Sequence, residues 1–294
     1  MPLLLLSLPG LAAIAALLFT WLQVGEAGRQ LQIAEDQQIT TRFNDAVGNL
    51  ASKAVDVRVN GIHALERIMK NSAADQPTVV SLLSTYVRQH APLPRKAAPS
   101  ADVYTAMDVL ARRQPEHDQG TVVNLSHTDL RDWLPGPVVR LQGAVLTGAD
   151  LRGVDLSYAD LENASLEEAN LAHATLCSVK CANLHETVLR GANLQGADLN
   201  IADLTTVSWC DPLPSEGGCA SLREADLRFA KLTDANLRNV DLSYAYLADA
   251  DLDGADLTGA KLTGTVLEGV KIPGVKGLLW HSPTPLHEAS VRDR

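Results

Sequence analysis

The chain is 294 residues long, with 46% apolar but only 4% aromatic residues and a formal net charge of −10. So few aromatic side chains exclude a conventional globular core of this size, and the negative charge disfavours nonspecific contact with nucleic acid or anionic lipid. The acidity is local: residues 121–272 carry about 22 acidic and 11 basic side chains, and the remainder is close to neutral.

Leu3 to Val24 carries no charge, and at about 1.5 Å per residue it reaches roughly 33 Å, enough for a bilayer core. Residues 1–30 are therefore expected to form a transmembrane anchor, with Trp21 placed as an interfacial residue. A cleaved signal peptide is the rival reading, but no Lys or Arg precedes the apolar run and only Gly25-Glu26-Ala27 resembles a cleavage site. A soluble buried helix is the third. Arg29 and Arg42 follow the span, so the positive-inside rule makes this a single-pass cell-membrane protein with its C-terminal body in the cytoplasm.

Residues 31–115 read as a small α-helical domain. Ile39, Phe43, Val47 and Leu50 recur at helical spacing. Asp56 can cap a second helix burying Val59, Ile62, Leu65, Ile68 and Met69. Pro77 suits the first turn of a third helix, with Val79, Val80, Leu83, Tyr86 and Val87 on its face. The composition of Ala91 to Pro99 marks a linker, and a fourth helix is expected from Asp102 to Arg113.

From Leu141 a period of five dominates: Leu141, Leu146, Leu151, Leu156, Leu161, Leu166, Leu171 and Leu176, with Cys181 in the next place. A small residue lies two positions before most of them, as at Ala149, Ala159 and Ala164, and Asp, Asn or Ser often lies between. The register slips at Leu184, continues through Leu204 to Trp209, and resumes from Leu222 to Ile272 after an insertion. Leu125 and Leu130 read as an earlier coil in another register. Five fits neither the helical period of 3.6 nor the strand period of 2, but it fits a chain that turns a corner every five residues. Leu and Ala then point to one axis while the other three positions face solvent.

The pattern resembles the pentapeptide-repeat family, whose consensus is similar to Ala-Asp/Asn-Leu-x-x. The resemblance implies a mainly β fold: a right-handed quadrilateral β-helix of four pentapeptides per coil over residues 121–280, here preceded by the transmembrane helix and the small α-helical domain. Coils about 4.8 Å apart make about 26 units a rod of roughly 30 Å. The segments Gln38 to Phe43, Asp56 to Ile68, Tyr86 to His90 and Val109 to Arg113 further resemble actinobacterial membrane-anchored pentapeptide-repeat proteins. Lys276 to Trp280 is expected to cover the open end of the rod, and residues 281–294 read as a disordered tail.

Trp209 and Leu222 are 13 residues apart rather than five, so about eight residues must leave the coil. The insertion is Cys210, Asp211, Pro212, Leu213, Pro214, Ser215, Glu216, Gly217, Gly218 and Cys219, with turn chemistry throughout. A loop projecting from a regular rod is a natural interaction site, although a tolerated insertion is the plainer reading. In quinolone-resistance members of the family, loops of this general kind contribute to action on DNA gyrase. Cys210 and Cys219 could pair across the neck in an oxidising compartment, whereas a cytoplasmic body predicts free thiols. Cys181 takes an inward position and Cys177 an outward one, so these two are expected to diverge, and no zinc site follows.

The eight histidines form no catalytic set, and His173 and His185 occupy solvent positions. There is no glycine-rich phosphate loop, and the repeated Asp follows from the consensus. No enzyme activity, cofactor or metal is implied. The leading expectation is a non-enzymatic, membrane-anchored structural or protein-interaction platform with a protein partner, the membrane held through the N-terminal helix, and no direct nucleic-acid binding. The alternative is an acidic DNA-mimic modulator of DNA gyrase or another topoisomerase.

Overall fold

The computed structural model describes residues 8–94, 98–177, 181–184, 187–189, 192–195, 197–199, 202–205, 207–209 and 219–277, with backbone alone at 8–16, 31–32 and 34–36. Four helices come first: α1 (Leu8–Leu50), α2 (Val55–Asn71), α3 (Gln76–His90) and α4 (Ala101–Arg112). Expected packing stripes are buried: Ile62, Leu65 and Ile68 of α2, Val79, Val80 and Leu83 of α3, and Val103, Met107 and Leu110 of α4. Pro77 lies in the first turn of α3, where its missing N–H costs no helical bond. Asp56 does not cap α2; Ala54 holds that place, and Asp56 lies in the first turn, where a carboxylate favours the helix dipole.

The anchor is not supported. Helix α1 runs unbroken through Gly25 and Gly28 for 43 residues, and among the described residues no helix is long and apolar enough to cross a membrane. The expected transmembrane helix is therefore not supported, and the single-pass cell-membrane localisation is overturned.

The repeat folds into a solenoid held by single-residue parallel bridges. Val145 pairs with Ser165, Asp150 with Asn170 and Asp241 with Lys261, always twenty residues apart, so four pentapeptides close one coil. The spacing widens to 23 residues from Asp160 to Asn183 and to 28 from Asn193 to Ser221, then returns to twenty from Ser221 to Asp241. The two extra lengths of three and eight residues are the register slip and the insertion. Asn124 and Asp129 pair with Val145 and Asp150 across 21 residues, so Leu125 and Leu130 do belong to an offset first coil.

Each corner is one turn. The N–H of Ala144 donates to Leu141 O at 3.0 Å and that of Ala149 to Leu146 O at 3.0 Å. The third residue of the turn has positive φ, as at Gly143 (61°) and Gly148 (63°), the signature of a type II turn. Central leucines and the preceding alanines are buried from Leu141 to Leu257. They join the helical side chains in one continuous core.

The helices close the first coil. Arg140 N–H donates to Ala111 O at 2.8 Å, and its guanidinium donates to Arg112 O at 3.1 Å and Arg113 O at 2.9 Å. The free carbonyls at the end of α4 are thereby satisfied by the rod itself. Trp133 Nε1 donates to Asp108 at 3.0 Å, and Arg88 donates to Asn124 O at 2.6 Å. The stretch expected as a linker is also fastened: Pro92 bridges Thr128, and Leu93 N–H donates to His127 O at 3.1 Å. From residue 278 on, the expected end cover and the tail 281–294 fall outside the described residues.

Candidate interaction surface

Of the predicted interaction loop, Cys210 to Gly218 lie outside the described residues. Its ends are described: Ala220 N–H donates to Trp209 O at 2.9 Å, making the usual corner bond across the insertion. Cys219 is described and is disulfide-bonded. The other cysteine pair corrects the sequence reading, because Cys177 and Cys181 do not diverge but form a disulfide. Cys177 is buried, and the two residues also form an antiparallel bridge. The period-five register assigns Cys181 an inward place, but the corner actually runs from Leu176 to Ala182, whose N–H donates to Leu176 O at 2.7 Å. Both cysteines therefore lie in the looped-out segment and meet at its neck.

The repeated carboxylates have structural employment. At many corners an Asp or Asn precedes the central leucine and accepts the N–H two residues on: Ser157 to Asp155 at 2.9 Å, Gln195 to Asn193 at 3.0 Å and Ser243 to Asp241 at 3.0 Å. These are Asx turns, and they explain why the repeat selects Asp and Asn there. Between coils, Lys261 pairs with Asp241 at 3.5 Å and Lys271 with Asp251 at 3.4 Å. Hydrogen bonds from Thr258 hold the Asp256 carboxyl below its ordinary range. Burial would raise Asp226 and Asp241, but Arg228 and Ser243 respectively more than offset it. Each shift leads away from neutrality, opposite to what a general acid requires. His173 is exposed at a corner, and no group of metal-ligating side chains occurs among the described residues.

A buried polar cluster lies in the helical part. Asp102 accepts from Arg58 Nε at 2.7 Å and also from Tyr86 Oη and Ser100 Oγ. Burial would raise the Asp102 carboxyl, but those donors hold it well below the carboxylate range. Burial, with the bond to Asp102, pushes the Tyr86 phenol up to about 12. Arg58 also donates to Ser52 O at 3.0 Å, so the cluster ties the start of α2 to α3 and α4.

The surface feature that sequence reasoning missed is aromatic. One face of the rod carries the column Asp155, Thr175, Asp198, Asp226, Tyr246 and Val266. Phe229, Tyr244 and Tyr246 lie exposed on this face and its corners, at 53%, 47% and 51%. The Arg223 guanidinium covers the Tyr244 ring 4.7 Å from its centroid, and Arg223 pairs with Glu224 at 3.2 Å. Arg223, Glu224, Tyr244 and Tyr246 line a concavity of about 450 Å³. Phe229 and Tyr244 occupy the positive-φ corner position, at 58° and 61°. A bulky side chain there costs about 1–2 kcal/mol where glycine costs nothing, so folding alone does not call for an aromatic. The signal was available: these aromatics stand at solvent positions of a repeat whose core is Leu and Ala. The loop neck at Ala220 and Tyr244 lie at the two corners bounding the adjacent face, which carries Ser221 and Asp241.

The description "Pentapeptide repeats" matches in eight copies over residues 139–172, 172–205, 220–259, 230–269 and 250–275. No curated protein sequence matches the chain. Among solved structures, HetL, a pentapeptide repeat protein involved in heterocyst differentiation regulation from the cyanobacterium Nostoc sp. Strain PCC 7120, is 29% identical, covering 53% of this chain and 69% of its own, at a TM-score of 0.26. Rfr23 from the cyanobacterium Cyanothece 51142 is 29% identical over 47% of this chain and 64% of its own, at a TM-score of 0.14. QnrB1, a plasmid-mediated fluoroquinolone resistance protein, is 20% identical over 47% of this chain and 78% of its own, at a TM-score of 0.24. The repeats imply a right-handed quadrilateral β-helix. With twenty-residue coils, leucine at nearly every centre and Asx turns wherever Asp or Asn precedes it, residues 139–205 and 220–275 carry the repeats of the pentapeptide-repeat family.

Proposed function

We propose that the chain is a non-enzymatic protein-interaction platform, with the helical part (31–115) and the solenoid (121–280) acting as one rigid body. The observation that carries this reading is the exposure of Phe229, Tyr244 and Tyr246 on one face and its corners, placed where the scaffold needs no aromatic. Tyr and Arg dominate interface hot spots, and a side chain held in place before binding loses little entropy on docking. Arg223 supplies that hold for Tyr244. A partner resting on the adjacent face would reach both Tyr244 and the loop from Cys210 to Cys219. The repeated carboxylates, which suggested a DNA mimic of gyrase as the alternative, are largely employed in turns and coil-to-coil pairs.

A photo-cross-linking residue placed at Tyr246 of the full chain tests the reading in native cell extract. The expected outcome is one dominant protein adduct, and a loss of partner affinity of about tenfold or more in the Tyr244→Ala, Tyr246→Ala double variant. Adducts confined to other faces, or an unchanged affinity, would sink it.

A further inference from the structure

Two corners of the rod break the five-residue rule, and both are built alike. A regular corner places two residues between the central leucine and the small residue that bonds back to it. Between Leu176 and Ala182 there are five, and between Trp209 and Ala220 there are ten, yet the backbone bond closes at 2.7 Å and 2.9 Å. In each case the looped-out segment opens with a cysteine directly after the central residue and ends with a cysteine directly before the small one. Those are Cys177 and Cys181 in the first, Cys210 and Cys219 in the second. The chain has four cysteines, and all four stand at these places. Cys177 is bonded to Cys181, and Cys219 is disulfide-bonded as well.

We propose that both insertions are side loops of one design, clamped at the neck by a disulfide, and that the protein accordingly works in an oxidising compartment. An insertion at a corner adds chain freedom where the coil must hold register with its neighbours. Above and below the first insertion lie the bridges Asp160 to Asn183 and Thr175 to Asp198, and beside the second lies Asn193 to Ser221. Closing the neck confines that freedom to the loop and leaves the corner bond in place. Each bridge forms when two thiols lose two protons and two electrons to the disulfide of a thiol–disulfide oxidoreductase, which leaves as a dithiol. A reducing cytoplasm keeps such thiols free, so the proposal replaces the cytoplasmic expectation with an oxidising one.

The test starts from the full chain isolated from its native cells and precipitated under acid to freeze thiol exchange. It is then redissolved in denaturant at about pH 8 with iodoacetamide and no reductant, where any free thiol reacts as its thiolate. Mass spectrometry is expected to find no alkylated cysteine and a peptide linked between Cys177 and Cys181, with four alkyl groups added only after reduction. Majority alkylation before reduction would overturn the oxidising assignment, and a link from Cys177 or Cys181 to Cys219 would overturn the two-neck design. Hydrogen exchange tests the clamp. On reduction, the amides of Ala182, Asn183, Ala220 and Ser221 are expected to exchange at least tenfold faster, while those from Leu247 to Leu257 are unchanged. The Cys177→Ser, Cys181→Ser double variant reproduces the effect at the first neck alone. Equal exchange in both states would overturn the clamp.

Discussion

Gly264 has a φ of +69°, and a Cβ built there would lie 2.6 Å from Cδ1 of Tyr244. Glycine at that corner lets the ring of Tyr244 lie against the next coil. Gly264→Ala should therefore displace Tyr244 and cost about 1–2 kcal/mol for the left-handed backbone. Tyrosine ring resonances read by NMR and a lowered Tm check this; unchanged tyrosine shifts would show that the ring does not rest there. At Asp102 the folded carboxyl titrates below its unfolded value, so its contribution is present above about pH 4 and is lost as pH falls further. Tyr86 titrates above its unfolded value near 10, so its contribution is lost as pH rises through about 12. The curve of Tm against pH should fall at both ends, and Asp102→Asn should flatten the acid limb. An acid limb identical in the variant would refute the assignment.

Among the elements, the junction between α4 and the rod decides whether the first coil is covered. Arg113 is buried and pairs with Asp118 at 2.7 Å. It also donates to Leu110 O at 3.1 Å and to Arg140 O. Gln76 of α3 donates to the other oxygen of Asp118 at 2.7 Å, so one carboxylate gathers α3, α4 and the first coil. Removing one partner of a buried ion pair leaves the other uncompensated, and Arg113→Ala should destabilise by about 3–5 kcal/mol in chemical denaturation. A midpoint within error of the wild type would mean that the junction is held by packing alone. Such tight fastening also makes a fragment lacking the helices a poor test of the rod by itself, because Val123, Leu125 and Trp133 would lose their cover.

For the whole molecule, stability is a sum over neighbouring coils. Leu237 is fully buried at a coil centre. Leu237→Asp places an unpaired charge there and should unfold the C-terminal coils while leaving the early ones in place. Hydrogen exchange should then show protection lost around Leu242 and Leu247 but kept at Leu146 and Leu151. A uniform loss across the chain would mean that the rod and its helical cap unfold as one unit.

The solenoid, its offset first coil, the two departures from register and the packing stripes of α2 to α4 were all legible in the order of residues. They are local codes: a period of five or of 3.6 is written within a few residues of each side chain it places. The disulfide at Cys177 and Cys181 was not legible, because the register assigned Cys181 from the residues before it, whereas the corner is closed by Ala182 from the residues after. Nor was the unbroken course of α1, since Gly25 and Gly28 only lower helix propensity and do not forbid a helix. The aromatic face needed the fold most of all: Arg223 and Tyr244 are 21 residues apart and meet only when a coil closes after twenty. Sequence alone determined the rod and where its regularity fails; the tertiary structure decided what meets across its coils, because coil closure brings distant side chains onto one face.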